Sequence, residues 1–380
     1  SDLRKHYAGY EISVGRGHYD PKMGLRFDDI RILGMIPPEL SANPEQTANP
    51  PASRTIAGGK ERDIIHIHHL TVMADIDPEK LLHRSLPLDT HAIILDGVTA
   101  HTWVDQNGEL SLAKLWPLPK LGPEAPKMLV RNTRVNFHGD PDTERPLQFD
   151  LDEIMINNIQ QRDGTVDRLI QVSGHSMITD ELKAKIMTQG GKIAVQSEIN
   201  GIQVDRSTLD RLPSSVRGIL NDFKELNCQG HLTLSASKQN SEPWNFDIRT
   251  TVDDGRIDHP MLPKPLSDIR GVFTMTPKGV QLEASQASLG AAILRFNGEI
   301  ESYQWPAKAE MNVSARGFLL DHSLTSNLPE EARTIWNRLL PHGQIDFDAK
   351  IVHDDQGWEP TASITCKGVD VRYERFPYPV

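Results

Sequence analysis

The chain is poor in cysteine, in aromatic residues and in long apolar runs. Two cysteines in 380 residues, Cys228 and Cys366, allow one bridge at most. No disulfide framework therefore organises the fold. Both cysteines sit in strand-like sequence, where a buried free thiol is the favoured reading. Aromatics make up 6% of the residues, the apolar fraction is 38%, and the mean hydropathy is -0.44. No run approaches the roughly 18 apolar residues that a membrane-crossing helix needs. Positive charge is also in deficit: 41 Lys and Arg against 52 Asp and Glu leave a net charge of -11. That argues against broad nucleic-acid binding and against a polybasic grip on anionic lipid. The chain opens at Ser1-Asp2 with neither an initiator Met nor a signal sequence, and the expectation is that it derives from a longer precursor.

What is present is alternation. Trp244, Phe246, Ile248, Thr250 and Val252 alternate with Asn245, Asp247, Arg249, Thr251 and Asp253. Period two marks a half-buried strand. Asp254-Gly255 reads as a turn. Val272 and Thr274 form a second run before a turn at Pro277-Lys278-Gly279. Val280, Leu282 and Ala284 alternate next, and Ala292, Leu294, Phe296 and Ile300 do so less strictly. The expected product is an antiparallel meander with one apolar face and one wet face.

The rest of the chain reads the same way. Residues 7–36 form a hairpin, with looser alternation through Leu25, Phe27, Ile30 and Ile32. Pro37 to Lys60 has loop composition. A strand covers Asp63 to Ile76, and Asp77-Pro78 opens a short helix. Thr90 to Leu95 and Thr99 to Val104 read as two strands joined at Asp96-Gly97, followed by a turn at Asp105 to Gly108 and a proline-rich end at Trp116 to Pro119. Further strands are expected at 128–137, 148–159, 168–174 and 192–202. Residues 179–188 read as a short helix capped by Thr179. Ser207 to Leu226 reads as the clearest helix, starting near Pro213.

An internal repeat follows. LPSSVRGILNDF from Leu212 matches LPEEARTIWNRL from Leu328, and GHLTLSA from Gly230 matches GQIDFDA from Gly343. Trp244 and Trp358 come next in each copy, and each reaches a Pro-x-Pro, at Pro263/Pro265 and Pro377/Pro379. Repeats of a helix followed by antiparallel strands stack along one axis. Four segments result: an N-terminal β module (1–125), a linking β region (126–206), a helix-plus-meander repeat (207–327) and a truncated second repeat (328–380). The second copy ends at Val380 short of the first, so an open sheet edge and a longer parent are expected.

Two stretches carry a resemblance. One is GYEISVGRGHYDPKMGLRFDDIRI with LTVMADIDPEKLLHRSLPLDTHAIILDGVTAHTWVDQNGELSLAKL; the other is VDDGRIDHPMLPKPLSDIRGVFTMTPKGVQLEASQASLGAAILRFNGEI. Together they resemble the AsmA-like family of bacterial envelope proteins, related to TamB-type and other bridge-like lipid-transfer proteins. The resemblance implies a mainly β fold: an elongated, twisted antiparallel sheet curled into a groove, built from repeats with a few short helices. It also implies a periplasmic or cell-envelope location, an inner-membrane anchor preceding this chain, and a part in moving phospholipid or other acyl lipids, with envelope proteins as partners.

The residue patterns accommodate this, since the strands have an apolar face and few helices to cover it. The candidate lipid-groove residues are Trp244, Phe246, Ile248, Val252, Val272, Val280, Leu282, Leu294 and Phe296. The alternative is a scaffold whose core is closed by a second sheet. Enzymatic signals are weak, and neither enzymatic activity nor a cofactor is expected. His66, His68 and His69 are the best metal candidates, but no further ligand at a recognisable spacing completes a set, and solvated strand histidines are the favoured reading. Asp140 and Asp142, Asp253 and Asp254, and Asp354 and Asp355 read as turn residues rather than carboxylate pairs. Ser173-Gly174-His175-Ser176 lacks the nucleophile-elbow pattern.

Overall fold

The computed structural model describes residues 10–20, 24–35, 61–75, 89–103, 111–112, 126–139, 145–160, 166–212, 217, 220–240, 242–260, 262, 264–303, 307–327, 330–354 and 357–372. The structure is nearly all strand, as the alternation predicts. It splits into two compact units: Ser1–Gln196 with Asp210–Gly218, and Ser197–Leu209 with Ile219–Val380.

The first unit holds β1 (Tyr10–Asp20), β2 (Gly24–Met35), β3 (Glu61–Asp75), β4 (Asp89–Trp103), β5 (Lys127–His138), β6 (Leu147–Gln160), β7 (Val166–Ser176) and β8 (Thr179–Gln189). Each pairs with the next. All of these pairs are antiparallel except β4 with β5, which is parallel. A parallel neighbour requires a crossover. Of the residues between β4 and β5, 104–110 and 113–125 lie outside the described residues. β9 (Lys192–Val204) begins in this unit and ends in the next.

Residues directly opposite one another across successive strands form rungs, whose side chains share a face. Leu70, Leu95, Val130, Ile154, Val172 and Ala184 make one rung. Val72, Ile93, Met128, Ile156, Ile170 and Ile186 make another on the same face. A polar rung, Arg31–His66–Thr99–Arg134–Asp150–His175, belongs to the other face. The core is small: Ile30, Ile67, Val98 and Val130 are buried against Phe27, Ile65, Leu70, Leu95 and Ile154.

Between these rungs the pairing skips one row, Gly15–Asp29–His68–Gly97–Asn132–Asp152, across six strands. Asp29, Gly97 and Asn132 have φ of 54°, 70° and 53°. Left-handed backbone suits Gly and, next best, Asn and Asp. The row shifts the in-out alternation by one residue, so Phe27 and Ile30 reach the same face. Asp96-Gly97 is therefore no turn. It is an irregularity inside one strand, and Asn132 Nδ2 donates to Asp96 Oδ1 beside it (2.6 Å).

The second unit holds α1 (Arg206–Leu209), β10 (Glu225–Gln239), β11 (Asn245–Asp258), β12 (Leu266–Thr276), β13 (Gly279–Leu289), β14 (Ala292–Ile300), β15 (Ala309–Leu320), a 3-10 turn (His322–Asn327), α2 (Glu330–Leu339), β16 (His342–Asp354) and β17 (Gly357–Asp370). From β10 to β17 every neighbour in sequence is an antiparallel neighbour in space. Pro277-Lys278 is the expected two-residue turn, since Thr276 pairs with Gly279. Asp254-Gly255 also lies within a strand: β11 runs on through it, paired with Gln229 and Cys228, and the register shifts at Asp253 beside it. Asp354 pairs with Gly357, which places Asp354 at a hairpin end.

One helix expectation fails and another ends earlier than expected. Residues 179–188 are β8, because Leu182, Ala184 and Ile186 continue the apolar rungs of β7. Of the helix read over 207–226 from near Pro213, residues 213–216, 218 and 219 lie outside the described residues; before it stands α1, with Asp205 Oδ1 accepting from the Thr208 amide (2.9 Å) as its cap. Arg217 and Leu220 are helical, but Glu225 and Leu226 already belong to β10, because Leu226 pairs with Ile257. The helix expected at 328–340 is found as α2. In both repeat copies helical residues precede a strand pair, β10–β11 in one and β16–β17 in the other. The loop 37–60, the helix at Asp77-Pro78, the turn at 105–108, Asp140, Asp142, Pro263, Asp355, Pro377 and Pro379 lie outside the described residues.

Candidate functional site

The two faces of the second unit differ in kind. The register places Leu232, Thr250, Phe273, Leu282, Gly298, Met311, Ile351 and Pro360 on one rung, and Leu234, Ile248, Met275, Val280, Ile300 and Ala309 on the next. On the far side of the mid-level lie Ala287, Leu294, Ala315, Phe347 and Ile364. The mid-level itself is Val252, Gly271, Ser285, Phe296, Val313, Ala349 and Ala362. Gly271 is required there, because a Cβ would stand 2.0 Å from Ser285 Oγ.

The opposite face carries Thr233, Arg249, Thr274, Gln281, Glu299 and Glu310. Its charges are largely paired. Arg249 Nη2 donates to Glu283 Oε2 (3.0 Å), Lys350 Nζ lies 2.8 Å from Glu310 Oε2, and Arg316 Nη2 donates to both carboxylate oxygens of Asp348 (2.9 and 3.2 Å). The Lys350 ammonium holds Glu310 below the usual carboxylate range, and the Lys367 ammonium does the same for Asp346.

Among the described residues the apolar face of the second unit is partly exposed. Among the described residues both clusters of buried apolar side chains belong to the first unit. In the second unit Met311, Ile300 and Ile364 remain 37%, 41% and 60% exposed. The buried residues on this face are mostly small, Ala287, Ala292 and Ala315 among them. A filled two-sheet sandwich would bury large side chains between its layers. None is fully buried among the described residues.

Seven of the nine sequence candidates share this face: Phe246, Ile248, Val252, Val280, Leu282, Leu294 and Phe296. Trp244 precedes β11 and is 44% exposed. Val272 pairs with Thr251 and Glu283 and so belongs to the opposite, polar face.

An open cavity of about 1050 Å³ crosses β11 to β17 at the mid-level rung. A flat sheet would spread these strands over about 29 Å, so one depression lined by all of them makes the sheet grooved. Its lining takes three consecutive residues from each strand, for example Arg270–Val272 and Arg295–Asn297. The large apolar residues of the adjoining rungs, such as Phe273, Leu282 and Phe347, do not line it. The rows flanking the mid-level do: Arg270, Gln286, Arg295, Ser314, Asp348 and Ser363 form one rung of the polar face. Sequence reasoning missed Arg270, Gln286 and Arg295, because only the register brings them side by side.

Two of the three histidine candidates have carboxylate partners. His66 Nε2 lies 2.8 Å from Asp29 Oδ1 and His69 Nδ1 2.7 Å from Asp28 Oδ1, while the His66 and His68 rings stand 4.6 Å apart. Among the described residues no group of three or more His, Cys, Asp or Glu side chains is placed to hold a metal. Ser173 and His175 fall on polar rungs of β7, and Ser176 Oγ lies 2.9 Å from Thr179 Oγ1. Both cysteines are free, Cys228 half-buried and Cys366 exposed, where burial had been expected of both. Burial and then the Asp254 carboxylate push the Cys228 thiol up, away from the reactive thiolate. No described helix is long and apolar enough to cross a membrane.

No family model matches the chain, and no curated protein matches it.

Proposed function

We propose that the protein is a non-enzymatic lipid-binding protein of the AsmA-like kind, whose apolar sheet face shields acyl chains of phospholipid within the cell envelope. One observation carries this reading: an apolar face that continues over eight successive strands, β10 to β17, with no closed core upon it among the described residues. Each methylene removed from water against such a face contributes about 0.8 kcal/mol, so an acyl chain lying across a few rungs is held without polar contacts. The long parallel run of rungs suits a flexible chain better than a compact ligand. Transport between membranes, with an anchor outside this chain and envelope partners, belongs to the same proposal.

Native mass spectrometry of the purified chain, followed by lipid extraction, tests it. Phospholipid is expected to co-purify and to be lost on changing Leu282 and Phe296 to Asp, with the strand content of the variants checked by circular dichroism. A bare mass, with no uptake of a fluorescent phospholipid, would favour the scaffold instead.

A further inference from the structure

The polar face poses a separate question. Most of its arginines are matched by carboxylates, yet two on one rung are not. Arg270 on β12 and Arg295 on β14 both stand opposite Gln286 on β13. Neither has an ion-pair partner among the described residues, and both line the open cavity. The two acids in the same lining are engaged elsewhere. Asp348 is held by Arg316 through both oxygens, and Asp253 lies 3.4 Å from His231 Nδ1. Lys350 also lines the cavity, with its ammonium 2.8 Å from Glu310 Oε2 outside it. In a chain of net charge -11 this depression therefore carries more positive than negative charge.

We infer that Arg270, Gln286 and Arg295 form a binding site for a phosphate-type oxyanion. Two strand spacings, about 10 Å, separate the two arginine backbones. Long side chains from either side can converge over the Gln286 carboxamide, which supplies a further N–H donor. Guanidinium groups present planar forks that match tetrahedral oxyanions bidentately, which a lysine does not. Ser314 continues the rung beside Arg295 with a hydroxyl. A depression concentrates the local field where a flat surface would disperse it. The group bound is a phosphate, either free or as the diester of a phospholipid head. The site stands on the face opposite the apolar rungs, so this inference does not rest on acyl-chain binding.

The test is a 31P NMR titration of the purified chain with inorganic phosphate and, separately, with glycerophosphoglycerol as a soluble diester headgroup. The wild type is expected to bind at least one of them, and more weakly as salt rises. Arg270→Gln and Arg295→Gln should each weaken binding about ten-fold or more. Arg270→Lys should fall between, and Lys308→Gln, a cation outside the cavity, should leave binding unchanged. Thermal melts show whether each variant is folded. Binding of phosphate alone assigns the site to the free ion, and binding of the diester assigns it to a lipid headgroup. No binding of either, or equal binding by a folded Arg270→Gln/Arg295→Gln double variant, overturns the inference. Phospholipid uptake by the apolar face is read apart from this by Leu282→Asp, since Leu282 does not line the cavity.

Discussion

Asp28 and Asp29 are neighbours on β2 with separate partners. The hydrogen bond with His69, and then Arg26, lowers the Asp28 pKa; the hydrogen bond with His66, and then Arg31, lowers that of Asp29. Folding thus moves both below the ordinary value of 3.8, and the folded state binds protons later than the unfolded chain does. Their stabilisation is complete above about pH 4 and is lost as pH falls through the folded values. Thermal melts should show the melting temperature dropping below about pH 4, with a flatter profile for an Asp28→Asn/Asp29→Asn variant. A variant as acid-sensitive as the wild type would remove these carboxylates from the account. None of this was legible in the sequence, where the histidines stood out as a possible metal set. A carboxylate 37 or 41 residues away becomes a partner only once the β2–β3 register is known.

At the scale of elements, the alternation located nearly every described strand but misread its interruptions. Asp96-Gly97 and Asp254-Gly255 have the composition of hairpin turns, and each lies within one long strand. At Asp254-Gly255 the interruption is a bulge at Asp253. At Asp96-Gly97 the reason is local: the left-handed backbone that a tight turn demands is also what a phase shift within a strand demands, and Gly97 supplies it with φ of 70°. The loose alternation at Leu25, Phe27, Ile30 and Ile32 has the same origin, in Asp29. β8 failed for another reason. Glu181, Leu182, Lys183, Ala184 and Lys185 are good helix formers, and pairing with β7 overrides that preference. A substitution pair separates the two descriptions. Ile186→Asp puts a charge on the apolar rung with Ile170 and should destabilise the protein by about 2 kcal/mol or more. Lys185→Asp, on the exposed side, should stay within about 0.5 kcal/mol. Urea unfolding of both variants reads the difference.

For the molecule as a whole, the partition into an apolar and a polar face was visible in sequence, whereas the partial exposure of the apolar face among the described residues was not. Period two says that one side of a strand is apolar. It is silent on whether another layer packs there, because a sandwich and an open sheet write the same pattern. An uncovered face has a simple signature. The native protein should bind an apolar fluorescent dye while its near-ultraviolet circular dichroism stays intact, which separates it from a loosened, partly unfolded state. Phe296→Asp should cut that signal, and phospholipid should displace the dye. A dark native state would mean that the face is covered.

The interrupted row through Gly15, Asp29, His68, Gly97, Asn132 and Asp152 has a mechanical meaning. Along that row the backbone ladder is missing, and each flank of the first unit keeps its own paired rungs. Side chains carry the link in its place: Asp29 with His66 on one flank and Asn132 with Asp96 on the other. The seam is thus held by polar bonds that titrate, where the rest of the sheet is held by backbone bonds that do not.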